Sequence, residues 1–351
     1  MDISSLLLTL GVIAYFNITI YIANADDVQA RPFTRSKWLL YGAVGMMFAF
    51  GLILAQYALL TLVEIDPTLT QDTVLPDVDG TAAVLIFGLC SLASFGCVRL
   101  IGVPSSRSAI KRLCGRYGVF NPESTVHITA VVLSVVLLCV NLGQLVLNGG
   151  LEGLAESYEQ GVSFVSNAFF QQLIWLSASF LGIGLFIHRD RKRAFARLGL
   201  RFPTADDLFA GIGVGLLMVI FVFVLSFAWT LITPPETIEN QQAASRQIAN
   251  ALNTIPLALI VSLMVATGEE IFFRGALQPV FGIGLTSVFF ALLHIQYTLT
   301  PAALAVFVLA LALGWLRKRH STTSAIIAHF IYNFTQLALA ILAASFLGGG
   351  A

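Results

Sequence analysis

The sequence has 351 residues, of which 57% are hydrophobic and only 11% are charged, and this composition excludes an average water-soluble domain. Nineteen basic residues balance nineteen acidic ones, so the net charge of zero gives no general attraction to nucleic acid. The composition predicts a polytopic protein of the all-α class in the cell membrane, with the lipid bilayer as its first partner.

Ten apolar runs follow one another along the chain, most of them as long as the roughly 17 to 25 residues that cross a bilayer as a helix. They cover about residues 3–24, 38–63, 80–103, 126–149, 164–187, 208–233, 251–281, 283–298, 301–316 and 322–346. The eighth and ninth runs are short and meet at the sequence TLTP, so the alternatives are that they fuse or that one is re-entrant. The sequence therefore predicts a transmembrane helical bundle of about ten spans.

Lysine and arginine residues are concentrated in the connections after spans one, three, five and nine, which hold sixteen of the nineteen. Because cytoplasmic loops retain basic residues, these connections are predicted to be cytoplasmic and both termini non-cytoplasmic. A small-residue pattern at Ala23 and Ala25 resembles a signal-peptidase site, but the preceding MDISS has no basic residue. We therefore expect the first helix to be retained.

Polar residues divide the chain into regions of different character. Residues 1–187 are predicted to form a five-span membrane region of unknown role, whose interior amides and hydroxyls are typical of interhelical hydrogen bonds. A basic linker at 188–207 is predicted to be cytoplasmic and amphipathic, and to lead into a helix capped by Thr204. Residues 208–346 then form a separate domain. The four cysteines show no metal-binding spacing and are interpreted as small apolar residues.

The unusual ionisable residues all lie after residue 250. The sequence GEEIFFRG carries Glu269, Glu270 and Arg274, while His294 and His329 lie inside later apolar runs. On insertion scales an Arg, Lys or Asp at such depth costs about 2.5 to 3.5 kcal/mol, which makes each ionisable residue a candidate for function. The alternative for the residues taken singly is a hydrogen-bonded core histidine or an interhelical ion pair.

Depth along the helices links these residues. Spans seven and eight are predicted to turn near Gly282, which is twelve residues from Glu270 and from His294, so both should stand about 18 Å above the turn. His329 lies nine residues after His320 at the start of the tenth span, or about 13 Å into the membrane. We therefore expect the three side chains to meet.

Spacing within the helices suggests separate roles. Glu270 and Arg274 are at positions i and i+4 on one face, an arrangement that favours an ion pair. Glu269 is rotated by about 100° from that face and is expected to point into a cavity. His329 and Asn333 are also at i and i+4, so an imidazole and an amide share one face.

The runs EEIFFR, FALLH and HFIYN occur in this order on three successive membrane segments. Together they resemble the motifs of the CAAX protease and bacteriocin-processing (CPBP) family, the Abi-type membrane proteins that include the type II CAAX prenyl endopeptidase. The resemblance covers about residues 200–345 and includes the linker sequence LGLRFPTADDL. It implies an intramembrane endopeptidase that hydrolyses a peptide bond in a membrane-embedded or lipidated peptide or protein.

By this resemblance, Glu269 and His294 activate a water molecule, and His329 and Asn333 stabilise the oxyanion or hold the site. The family is often classed with the metalloproteases, and Glu269, His294 and His329 would then be zinc ligands with water in the fourth position. We favour the metal-free mechanism, because one helix offers two adjacent glutamates and the sequence contains no HExxH.

Two readings of a different class stay open. Intramembrane carboxylates and histidines also relay protons in transporters, although no inverted repeat is visible here. A non-catalytic membrane scaffold or immunity protein would keep the same fold. Proteolysis by the purified protein separates the protease from both.

Overall fold

The computed structural model describes residues 3–29, 33–62, 80–115, 118–147, 161–233, 252, 254–294 and 301–348. Apart from one isolated bridge between Leu185 and Arg189, every regular element in these ranges is helical, which confirms the all-α class. The α-helices are α1 (Ile3–Val28), α2 (Ser36–Leu62), α3 (Gly80–Ile101), α4 (Pro104–Cys114), α5 (Thr125–Leu147), α6 (Gly161–Gly182), α7 (Arg191–Leu198), α8 (Ala205–Thr230), α9 (Ile255–Glu270), α10 (Gln278–Leu293), α11 (Pro301–Arg319) and α12 (Thr322–Gly348). A π-helical segment, Ile271–Leu277, joins α9 directly to α10.

Seven helical stretches of the described residues are long and apolar enough to cross a membrane. Six correspond to single predicted spans, and the seventh, Ile255–Leu293, contains predicted spans seven and eight together. The predicted fifth and ninth spans are α6 and α11, which fall outside those seven. The chain is a multi-pass membrane protein, and ten spans is an approximate count. The connection between predicted spans eight and nine falls on residues 295–300, which lie outside the described residues.

The short helices lie in the connections between spans. The amphipathic helix α4 was not predicted. Helix α7 provides the amphipathic stretch expected in the basic linker, with Asp190 as its N-cap and Gly199, at a φ of 69°, as its C-cap. The predicted start of α8 is confirmed, because Thr204 and Asp207 form a capping box.

The chain folds back on itself at Gly282, as predicted. This glycine has a φ of 81°, in the left-handed region that residues with a side chain rarely adopt, and it breaks the helical path inside α10. Arg274 lies eight residues before Gly282 and Phe290 lies eight residues after it. The guanidinium carbon of Arg274 is 4.9 Å from the ring centroid of Phe290. The rings of Phe273 and Phe290 also meet edge to face, with centroids 4.8 Å apart. The two halves of the stretch are therefore an antiparallel hairpin.

The four basic connections lie on one face of the bundle. The N–H of Val119 donates to the carbonyl of Pro279 beside the Gly282 turn, and the N–H of Thr322 donates to the carbonyl of Gly199, both at 3.0 Å. At the end of α1, Asp27 accepts a 2.8 Å hydrogen bond from the hydroxyl that precedes α5. These contacts join the connections after spans one and three to each other, and those after spans five and nine to each other, which is the arrangement that the charge distribution predicts.

A buried carboxylate, Asp207, ties the linker to the starts of α8 and α12. Arg201 donates to it from Nε and Nη2, each at 3.0 Å. The hydroxyl of Thr204 donates at 3.0 Å and that of Ser321 at 2.8 Å. Because Ser321 directly precedes α12, this cluster fixes where α12 begins.

Helix α12 approaches α8 closely at two glycines one turn apart. A Cβ on Gly211 would lie 2.8 Å from the side chain of Ile327, and a Cβ on Gly215 would lie 2.7 Å from the carbonyl oxygen of Ala328. Small residues at i and i+4 allow such close packing of membrane helices. The contact sets the position of the α12 turn that carries His329.

We expect single cysteines at Arg112, Arg193 and Lys318 to react with a membrane-impermeant maleimide only after the cytoplasmic side is opened, since all three side chains are exposed in basic connections. The background should lack Cys97, because the other native cysteines are buried. Labelling of position 193 in intact cells would reverse the proposed orientation.

Candidate active site

The two glutamates are the last residues of α9, where the helix widens into the π-helical segment. Glu270 and Arg274 are both completely buried, and the Nε of Arg274 lies 3.1 Å from the Oε2 of Glu270. The predicted i to i+4 ion pair is confirmed. Single turns of π-helix occur frequently at functional sites, and nothing in the apolar pattern of this sequence signals one.

The second oxygen of Glu270 meets a histidine from another helix. Nδ1 of His329 on α12 lies 2.9 Å from Oε1 of Glu270. A carboxylate can only accept, so Nδ1 carries the hydrogen and the ring is held in one orientation. Depth along the helices predicts that Glu270 and His329 meet, but helical spacing gives Glu270 only Arg274 as a partner.

Glu269 has a different environment from its neighbour. Its side chain is 8% exposed, and its Oε2 is buried with no hydrogen-bond partner among the described residues. No ion pair within 4 Å reaches it in the described part of the chain, whereas Glu270 has two. The two carboxylates therefore differ, since Glu270 is held by charged partners and Glu269 forms no ion pair in the described residues.

Phe290, in the FALLH sequence, lies close to residues of the EEIFFR and HFIYN sequences. Its ring lies under the guanidinium of Arg274 and 6.3 Å from the ring of His329, centroid to centroid. The centroid of the His294 ring lies 4.4 Å from that of Phe290. Nδ1 of His294 donates to the carbonyl of Phe290 at 2.8 Å, which fixes the half-buried imidazole at the end of α10. The three predicted segments therefore converge. Asn333, also half-buried, follows His329 by one turn of α12.

Helix α6, from the first region of the chain, packs against the segment that carries the two glutamates. Trp175 on α6 stacks on Phe272, with ring centroids 4.4 Å apart. Gln172, one turn earlier, is buried against Gly268, where a Cβ would lie only 2.1 Å from its Oε1. The sequence analysis assigned Gln172 only a general interhelical role. Its place in an otherwise apolar run was the signal that could have linked it to the glutamates.

The zinc alternative was tested against the side chains themselves. In the described ranges, no group of three or more His, Cys, Asp or Glu side chains is arranged to hold a metal ion. Nδ1 of His329 faces Glu270 and Nδ1 of His294 faces a backbone carbonyl, so a metal ion could reach these two rings only at Nε2. Glu269, His294 and His329 do not form such a group in the described residues.

The fold and these contacts define a multi-pass membrane protein with a buried centre of two carboxylates, one arginine and two histidines. Residues 251–335 match the family described as type II CAAX prenyl endopeptidase, Rce1-like. The match covers about a quarter of the chain, so this C-terminal part is similar to that family. No curated protein and no solved structure matches the chain.

We expect Glu270→Gln to destabilise the protein by about 3 to 5 kcal/mol, because it leaves the Arg274 charge buried without its counter-charge. Glu269→Gln should unfold like the wild type, as should Glu123→Gln at an exposed position. Denaturant or thermal unfolding of the purified protein in detergent measures the differences.

The double variant Glu270→Gln/Arg274→Gln removes both charges and should recover much of the lost stability. A destabilised Glu269→Gln beside a normal Glu270→Gln would contradict the assignment of the ion pair.

Proposed function

We propose that this protein is an intramembrane endopeptidase in which Glu269 is the general base that activates water. The observation that supports this proposal is the contrast between two adjacent carboxylates. Glu270 is completely buried and forms ion pairs with Arg274 and His329, while Glu269 forms no ion pair within 4 Å among the described residues. A base needs an uncommitted lone pair within reach of the proton that it removes.

The first half of the reaction consists of addition of water to the scissile carbonyl. Glu269 takes one proton from the water as its oxygen bonds to the carbonyl carbon, and the carbonyl electron pair moves to the oxygen. The imidazole of His294, held through Nδ1 by the carbonyl of Phe290, is assigned the role of orienting that water. The depth count from Gly282 predicts that Glu270, next to Glu269 in the sequence, and His294 lie at the same level on opposite arms of the hairpin.

The negative charge that develops on the carbonyl oxygen needs donors. Glu270 stabilises a protonated His329 by accepting from Nδ1, so the Nε2–H of His329 can donate to the oxyanion. The amide N–H of Asn333 on the same helix face supplies a second donor. Collapse of the intermediate transfers the proton from Glu269 to the amide nitrogen and breaks the C–N bond, which releases an amine and a carboxylic acid that keeps the second proton of the water.

The substrate follows from the position of the site and from the family. Its scissile bond has to enter the bilayer, which requires a membrane-embedded or lipid-modified peptide or protein. The family description names prenylated CAAX sequences, in which the lipid is attached to a cysteine near the C-terminus. We propose a lipid-associated peptide as the substrate class for this chain.

We expect Glu269→Gln to lower turnover by about 10²- to 10⁴-fold, the usual effect of losing a general base. Its abundance and melting temperature should match those of the wild type, and the exposed control Glu123→Gln should retain full turnover. A Glu269→Gln protein with wild-type rate would refute the assigned base.

The substrate class can be tested with two synthetic peptides that differ only in a farnesyl group on the cysteine of a C-terminal CaaX sequence. Cleavage of the farnesylated peptide alone supports recognition of the lipid. Membrane peptides from cells with wild-type and Glu269→Gln protein should be compared in parallel. No cleavage of either peptide, together with identical membrane peptides in the two cell types, would contradict proteolysis and favour a scaffold.

The metal-free mechanism predicts that turnover survives chelation of divalent ions. Elemental analysis of the active, purified protein provides an independent readout. One zinc per chain, lost together with activity on chelation and regained together on addition of zinc, would replace the proposed mechanism by a metal-dependent one.

A further inference from the structure

A cavity of about 390 Å³ lies between the first region, residues 1–187, and the C-terminal domain. It is bounded by α1, α5 and α6 on one side and by Phe272, Ala276 and Leu277 of the π-helical segment on the other. None of the six candidate site residues lines it. The cavity therefore occupies the opposite side of the segment that carries Arg274.

The cavity has an apolar end and a polar end. Along α1 its lining runs from Phe16 through Asn24 to Asp27, a distance of about 16 Å. Along α5 the order is reversed, from His127 near the helix start to Leu137. Because Asp27 is hydrogen-bonded to the residues that begin α5, the polar ends of the two helices coincide. One end is therefore lined by apolar side chains and the other by ionisable ones.

Two arginines dominate the polar end. Arg189 and Arg197 line it beside the imidazole of His188, and the one carboxylate of the lining, Asp27, is occupied by its hydrogen bonds to the start of α5. No carboxylate in the described residues lies within 4 Å of either arginine. Burial and the nearby charges of Arg189 and Arg317 lower the pKa of Arg197 to about 10. An anion at this end would relieve the repulsion among these cations.

The arginines retain donors for such an anion. Arg197 donates from Nη1 to the carbonyl of Gly275 at 3.0 Å, and Arg189 uses its Nη1 on the carbonyl of Ile183 and on the ring of His188. A guanidinium has five N–H groups, so most of them remain for a phosphate or carboxylate.

Two buried polar atoms lie in the cavity wall between the two ends. Asn24 gives its amide hydrogens to the carbonyls of Ile20 and Leu181, and its Oδ1 is left without a partner among the described residues. The hydroxyl oxygen of Thr129 is also buried and unpartnered there. A carbonyl oxygen accepts only, so it would be satisfied by a ligand hydroxyl close to the anionic group.

We propose that this cavity binds a lipid with a single acyl chain, a phosphate head group and a free glycerol hydroxyl, as in a lysophosphatidate. The acyl chain of the lipid lies along Phe16 and Leu137. Its glycerol hydroxyl faces Asn24, and its phosphate faces Arg189 and Arg197. The volume lies near the lower end of the range of about 300–1,000 Å³ for small-molecule sites, which favours one chain over two. The bound lipid supports the π-helical segment from the side opposite to Glu270.

The test uses the full chain in nanodiscs of neutral two-chain phospholipid and measures binding of an 18-carbon lysophosphatidate by native mass spectrometry and by its effect on the melting temperature. The comparison ligands are a fatty acid, a neutral monoacylglycerol and inorganic phosphate. We expect saturable binding of lysophosphatidate, weaker binding of the fatty acid, and affinities at least about tenfold lower for the other two. Equal affinity for inorganic phosphate or for the neutral lipid would overturn the proposal.

Two variants locate the site. Ala130→Phe fills the cavity and should lower lysophosphatidate affinity by at least about tenfold, while Ala93→Phe, the same change at an exposed position on α3, should not. Arg189→Gln should bring the affinity for lysophosphatidate close to that for monoacylglycerol. If Ala130→Phe fails to fold, Ser134→Leu in the same wall replaces it. Binding unchanged by the cavity-filling variant and by Arg189→Gln would refute the site, whatever the outcome for proteolysis.

Discussion

The contacts of one carboxylate, Glu270, hold the candidate active site together. It is completely buried and uses one oxygen for Arg274, one turn along its own helix, and the other for His329 on α12. A buried charge is tolerable only when it is paired and hydrogen-bonded, so both contacts are needed. The positions of the hairpin and of α12 therefore depend on each other through this side chain. Glu269, one residue earlier on the same helix, forms neither of these ion pairs.

Periodicity and depth predicted much of this site. The i to i+4 spacing predicted the pair of Glu270 and Arg274, and counting residues from Gly282 predicted the hairpin. In the structure it is Phe290, one turn before His294, that meets Arg274 across this hairpin. The hydrogen bond between Glu270 and His329 was beyond such reasoning, because spacing along one helix carries no information on the rotation of another. The π-helical segment was missed for a similar reason, as a single wide turn leaves no distinct apolar pattern.

The first region and the protease domain are less separate in space than in sequence. Trp175 and Gln172 of α6 lie against Phe272 and Gly268, so a helix from the first five spans forms the back wall of the glutamate motif. The polar clusters in the connections act through hydrogen bonds at helix ends. Asp207 and Asp27 each gather donors from two or more chain segments, and these contacts fix the ends of helices whose middles are held by apolar packing.

The local nature of the Glu270 and Arg274 pair also bears on how the chain enters the membrane during synthesis. Domains and helices emerge from the ribosome in order, so α9 reaches the bilayer before His329 has been made. An isolated charge at the centre of a helix costs about 2.5 to 3.5 kcal/mol on translocon scales. This stretch carries three ionisable residues, Glu269, Glu270 and Arg274. Because Arg274 is only one turn from Glu270, the two charges can neutralise each other within the nascent helix. Arg274, the partner of Glu270 that insertion needs, therefore belongs to the same segment. His329, which orients the finished site, is made later, with the last helix.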